Sequence, residues 1–164
     1  MASMTTRIEN DTTIIFEREF DAPVASLFKM YSTPDIIKQW WAPNGFDIPV
    51  CEIDFRENGS WFYVMHCTDK NLGEFYDTKN YAKAIYDQII ENKRIAYTHY
   101  FADENGDVNQ TIPGQKISID FVDLDGRTKI INKAEFANKD ALDQIAPMME
   151  AGVAQSFDRL SALL

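Results

Sequence analysis

Between Gln39 and Met65 the chain reads QWWAPNGFDIPVCEIDFRENGSWFYVM, a stretch that few architectures can accommodate. Trp40 and Trp41 run straight into Ala42-Pro43-Asn44-Gly45. Proline presets one backbone dihedral there and glycine permits another, so a helix carrying two indoles must end and the chain must turn. Past the turn the hydrophobic period changes to two. Val50, Glu52 and Asp54 alternate with Cys51, Ile53 and Phe55; Glu57-Asn58-Gly59 supplies a hairpin signal; Trp61, Tyr63 and Met65 then alternate with Phe62, Val64 and His66. An aromatic pair at such a junction can plug a cavity or line one.

The flanks extend this pattern. Thr12 to Phe20 alternates as a partly exposed strand, with Ile14, Phe16, Arg18 and Phe20 on one side. Asp21-Ala22-Pro23 offers a helix cap followed by proline in the first turn, ahead of Val24, Leu27, Phe28 and Tyr31 at helical spacing. Ser32-Thr33-Pro34-Asp35 starts a second short helix through Trp41. Further strands are expected at Tyr81 to Ile90, Lys93 to Phe101, Lys116 to Val122 and Thr128 to Glu135, joined as an antiparallel meander. From Asn138, apolar residues at Leu142, Ile145, Met149, Val153, Phe157, Leu160 and Leu164 mark a long amphipathic helix, which Pro147 should kink or break.

A chain of 164 residues fits one domain. The expectation is a single α+β unit over residues 11–164 behind a flexible N-terminus at 1–10, where Met1-Ala2-Ser3 ahead of Met4 has the look of a cloning remnant. No run approaches the roughly 20 apolar residues of a membrane span, so membrane insertion is not expected. A net charge of −10 repels a phosphate backbone, which argues against nucleic acid. Aromatics make up 13% of the chain, enough either for a well-filled core or for a ring-lined hollow.

Met1 to Asn10 lacks the apolar stretch of a signal peptide, which predicts a reducing, cytoplasmic setting for Cys51 and Cys67. If Asn58-Gly59 closes a two-residue hairpin, Cys51 lies opposite His66 and Cys67 falls on the other face, which disfavours a disulfide. Two cysteines and two histidines without ligand spacing make no metal case, and no phosphate loop, H-E-x-x-H or paired C-x-x-C is present, so no cofactor is expected.

Phe20-Asp21-Ala22-Pro23, Trp40-Trp41-Ala42-Pro43, Asp54-Phe55-Arg56 with Gly59 and Trp61, and Gly152 with Phe157-Asp158-Arg159-Leu160 occur in an order and spacing that resembles the START-like (SRPBCC) superfamily. The branch is the one related to the activator of a heat-shock-protein ATPase, and the likeness runs nearly end to end. It implies a helix-grip fold: a curved antiparallel sheet of about six or seven strands around a long C-terminal helix, with two short helices after the first strand. It also implies a cavity that takes a lipid, sterol or polyketide-like molecule. Many similar proteins carry tryptophan after the glycine of the last helix, whereas Val153 follows Gly152 here. The smaller side chain either enlarges the cavity or is compensated by a neighbouring ring.

The two-residue hairpin puts Trp61, Tyr63 and Met65 on the face of Glu52, Asp54 and Arg56, whereas Ile53, Phe55, Phe62 and Val64 form a cleaner apolar face. The residues argue both ways, and the resemblance decides for Trp61, Tyr63 and Met65 inward. The expected ligand-binding set is then Phe28, Trp40, Trp41, Trp61, Tyr63, Met65, Tyr97, His99, Ile119 and Phe121, with Met149, Val153 and Phe157 as the helical wall. For each residue singly, core packing is the plainer role. Asp54 and Arg56, two apart on a strand, are placed as a structural ion pair.

No catalytic residue is assigned. His99, sharing a strand face with Tyr97, is the one weak candidate base, and His66 faces away. The leading reading is a small-molecule carrier, sensor or sequestering module. A cyclase- or hydrolase-type enzyme on the same cavity is the alternative. A co-chaperone role is a third reading, disfavoured because the chain has room for only one domain.

Overall fold

In the computed structural model, which describes residues 3–164, eight strands form one antiparallel sheet. They are β1 (Thr5–Glu9), β2 (Thr13–Phe20), β3 (Phe46–Ile53), β4 (Ser60–Cys67), β5 (Lys79–Ile90), β6 (Arg94–Phe101), β7 (Gln115–Asp123) and β8 (Thr128–Glu135). Helices α1 (Val24–Ser32) and α2 (Pro34–Trp40) connect β2 to β3, and α3 (Lys139–Ala162) follows β8. The strand order β1-β2-β8-β7-β6-β5-β4-β3 makes β3 to β8 the expected meander and leaves β1 and β3 as edges. This is the α+β helix-grip arrangement, with one strand more than expected. No helix among the described residues is long and apolar enough to cross a membrane.

The additional strand lies where a flexible lead was expected. Thr5–Glu9 pairs with Glu17–Thr13, and Asn10 and Asp11 turn the chain with φ of 53° and 61°. All five β1 residues are exposed, so no alternating burial marked them in the sequence.

Period-two alternation buries one face of the sheet against the helices. Ile14, Phe16 and Phe20 of β2, Tyr86 of β5, Ile95 and Tyr97 of β6, Ile119 and Phe121 of β7 and Ile130 of β8 pack with Leu27, Ile37, Leu142, Phe157 and Leu160 in one core. Arg18 shares that buried row and reaches Asp158 of α3 at 2.6 Å, tying the helix to β2. Ile145 and Leu164, expected on the apolar stripe of α3, are 45% and 41% exposed.

The helix starts differ in detail from expectation. The carboxylate of Asp21 accepts from Arg127 at 2.6 Å instead of capping α1, whose N-cap is Pro23. α2 begins on Pro34 after Thr33, and Asn138 caps α3 by accepting from Ala141 N at 2.8 Å. α3 is continuous through Pro147, so no break separates a lead-in from the main helix.

Candidate functional site

The site is built on the β3–β4 hairpin, whose register differs from the one that Asn58-Gly59 predicted. Cys51 pairs with Tyr63 and Ile53 with Trp61, so the loop runs from Asp54 to Gly59 and Cys51 does not face His66. The loop is held by Asp54 N to Ser60 O at 2.8 Å, Gly59 N to Arg56 O at 2.8 Å and Asn58 N to Tyr86 O at 2.8 Å. Gly59 is required by close approach, since a Cβ there would sit 2.2 Å from the carbonyl oxygen of Asp54. The displacement from the expected pairing is an odd number of residues, so it moves Trp61 and Tyr63 to the face of Cys51 and Ile53. That removes the conflict between an apolar interior and the acidic side of β3. Cys67 pairs with Phe46, four positions along β4 from the Cys51 partner, and both thiols are free and buried. Asp54 and Arg56 form the expected pair at 2.8 Å on the exposed loop.

The rings behind this hairpin close a circuit. Trp41 stacks edge-to-face on Trp61 at 4.7 Å, Trp61 meets Tyr97 at 5.8 Å, Tyr97 meets Tyr86 at 6.3 Å and Tyr86 meets Phe55 at 5.2 Å. Phe55 continues to Phe28 at 5.7 Å, Phe28 to Phe121 and Phe121 to Tyr31 at 5.4 Å each, Tyr31 to Trp40 at 4.8 Å, and Trp40 back to Trp41 at 5.4 Å. Edge-to-face pairs of this kind add roughly 0.5–1.5 kcal/mol beyond area burial. Much of the interior is therefore packed ring rather than hollow.

A cavity of about 190 Å3 remains between this circuit and α3. Tyr31, Trp40, Trp41 and Pro43 wall it from one side, Met149, Gly152, Val153, Ser156 and Phe157 from α3, and Met65 and Asn132 from the sheet. Met65 lies on β4 and Asn132 on β8, so the sheet curves far enough for strands four places apart to meet one cavity. Burial raises the pKa of the Tyr31 phenol well above its usual range, and its hydroxyl has no hydrogen-bond partner among the described residues. Trp40 Nε1, by contrast, donates to the Met30 carbonyl at 3.1 Å.

α3 fixes the turn beyond Trp41 with four hydrogen bonds. Ser156 Oγ donates to Trp41 O at 2.8 Å, Arg159 donates to Ala42 O at 2.5 Å and to Asn44 Oδ1 at 2.8 Å, and Asn44 N donates to Gln155 Oε1 at 2.9 Å. The Ala42-Pro43-Asn44 turn that ended the helix in the sequence is thus the place where the long helix holds the indole pair.

A second cavity, of about 250 Å3, lies at the other end of α3. His99, Phe101, Gln115, Glu135, Phe136, Ala141, Ile145 and the Ile112-Pro113-Gly114 segment line it. His99 Nε2 is 3.3 Å from Tyr63 Oη, a contact that spans β5 because Ala82 and Ala84 are the residues paired opposite Tyr63 and His99. Burial depresses the His99 pKa to about 4 and pushes Tyr63 up to about 12, the latter opposed by hydrogen bonding with Trp41. Both groups are neutral near pH 7. His66, as expected, takes the other direction and meets Asp77 at 2.8 Å.

Of the expected binding set, Trp40, Trp41, Met65, Met149, Val153 and Phe157 come together at the first cavity. Phe28, Trp61, Tyr97 and Phe121 sit in the aromatic circuit, Ile119 is buried core, and Tyr63 stands behind the indoles. His99, on the same strand face as Tyr97, lies at the second cavity and meets Tyr63. Tyr31 and Asn132 were missed. Asn132 carried a signal, a polar residue between Ile130 and Ala134 on an inward row.

Solved structures similar to this chain share the whole architecture. Protein Ms6760 from Mycobacterium smegmatis superposes with a TM-score of 0.83 at 25% identity, covering 98% of this chain and 96% of that one. A protein from Staphylococcus epidermidis gives 0.79 at 26% identity, covering 98% and 96%. The AHSA1 protein from Silicibacter pomeroyi gives 0.69 at 21% identity, covering 92% and 95%. No functionally curated protein matches. The family model described as "Activator of Hsp90 ATPase homolog 1-like protein" matches residues 21–164, from the aspartate ahead of α1 to the last residue of the chain. This chain belongs to the activator of Hsp90 ATPase homolog 1-like family.

Proposed function

We propose that the chain binds a small, predominantly apolar molecule bearing one polar group in the cavity between Trp40, Trp41 and α3. The observation that carries this reading is a cavity lined mainly by rings, methionines and Val153, with Tyr31, whose buried hydroxyl has no partner among the described residues, as part of its wall. Such a wall supplies affinity through area, and the Tyr31 hydroxyl supplies orientation once a polar ligand group displaces the side chains that cover it. A volume near 190 Å3 is below the roughly 300–1,000 Å3 of drug-sized sites and near the ~150 Å3 of a cavity that admits benzene. The ligand is therefore monocyclic or short-chained, and sterols exceed the space.

Titration with p-cresol tests this, following the indole Nε1–H signals of Trp40, Trp41 and Trp61 by NMR. Saturable shifts at Trp40 and Trp41 are expected, with toluene binding more weakly. Unmoved indoles up to the solubility limit of p-cresol overturn the reading. Two buried free thiols suit a reducing, cytoplasmic setting as part of the same proposal. Activation of an Hsp90 ATPase rests on the family's description alone and stands second; stimulation of that ATPase by the purified chain would bring it forward.

A further inference from the structure

The second cavity has its own chemistry. Tyr63 is 5% exposed, and its hydroxyl lies 3.3 Å from His99 Nε2; because the Trp41 indole, which can only donate, hydrogen-bonds the phenol oxygen, the phenol's own proton is left for Nε2. A phenol that donates to Nε2 requires that nitrogen to be unprotonated, so a neutral imidazole carries its proton on Nδ1. This tautomer is assigned from the hydrogen-bond pattern. His99 Nδ1 has no hydrogen-bond partner among the described residues, and His99 lines the cavity. The result is an N–H donor in a chamber whose other walls include Phe101, Ile112, Phe136 and Ile145.

We propose that this cavity is a separate binding site for a neutral carbonyl compound of short chain or single ring, a ketone, ester or lactone, whose oxygen accepts from His99 Nδ1–H. A carboxylate is a poor occupant: Glu135 lines the same cavity and the chain carries a net charge of −10. The desolvation that holds His99 neutral acts equally against a charged head group placed beside it. Phe101, Ile112 and Ile145 are 50%, 41% and 45% exposed, which gives an apolar ligand a rim by which to enter. This site does not depend on the Trp41 cavity, and either assignment can fail alone.

The test uses 2-heptanone as the probe and hexanoate as its anionic counterpart. The ring nitrogens of His99 are followed by long-range 1H–15N NMR, with the Trp40 indole as reporter of the other cavity. A saturable His99 shift with 2-heptanone is expected, and binding about tenfold weaker with hexanoate, whose charged head group is disfavoured by desolvation and by Glu135. His99→Phe should weaken 2-heptanone binding about tenfold, read from the remaining cavity signals. Ile145→Trp, at a half-exposed helix position that leaves His99 and its Tyr63 contact in place, should abolish binding by filling the chamber. A His99 signal that does not move, hexanoate binding as tightly as the ketone, or unchanged binding in Ile145→Trp would each overturn the proposal.

Discussion

Tyr63 Oη and His99 Nε2 meet at 3.3 Å although they stand on β4 and β6, because the strand between them presents only the methyl groups of Ala82 and Ala84 on that row. The contact fixes an imidazole that burial keeps neutral, with a pKa near 4 against 6.5 when unburied. Between those values the unfolded chain binds a proton that the native chain does not. Stability from this group is therefore complete above pH 6.5 and declines as pH falls toward about 4. Allowing for partial exposure, the loss is on the order of 2 kcal/mol. Urea denaturation of the wild type and His99→Gln at pH 7 and 4.5 should show the wild type losing more on acidification. Parallel losses would show that His99 does not titrate this way.

Tyr31→Phe removes a buried hydroxyl that has no protein partner, so it should leave stability unchanged or raise it by up to about 1 kcal/mol. The same variant should bind p-cresol several-fold more weakly, while toluene is unaffected. Thermal unfolding and the indole titration check the two halves independently.

Val153→Trp places a larger side chain from α3 into the cavity of about 190 Å3. The indole titration with p-cresol should be lost while His99 signals stay in place. Because the cavity accepts much of the added volume, melting temperature should fall by no more than a few degrees. A fold that collapses on this change would mean that the space beside Val153 is filled in solution.

Arg159→Ala removes two of the four bonds by which α3 holds the turn after Trp41. The expected cost is about 1–3 kcal/mol in denaturant, with faster amide exchange confined to Trp41–Gly45. Exchange spread evenly over the chain would contradict a local clamp.

Much of this fold was legible in the sequence because period-two and helical patterns are strong wherever one face is buried, as in β8 or the Leu142–Leu160 stripe. β1 was not, since all its residues face solvent. The hairpin register was misread for a definite reason. Asn58 takes a left-handed φ of 66°, as a tight turn would need, but Gly59 is present to clear the Asp54 carbonyl, and the loop is longer than the dipeptide implies. Six of the thirteen expected ligand-wall residues line one cavity, Trp40, Trp41 and Met65 around the aromatic turn and hairpin and Met149, Val153 and Phe157 along α3. Tyr31 and the Tyr63–His99 contact were hidden because they depend on sheet curvature and on small residues in an intervening strand, which no single-strand pattern reports. Phe28 and Tyr97, expected as cavity lining, pack on neighbouring rings, Phe28 on Phe55 and Tyr97 on Tyr86.

The central claim is occupancy of the Trp40–Trp41 cavity, and intermolecular NOEs from bound p-cresol to methyl-labelled Met65, Met149 and Val153 test it most directly. NOEs to all three residues are expected, since all three line that cavity. NOEs to none of them, or only to residues such as Ile145 at the His99 cavity, would contradict it.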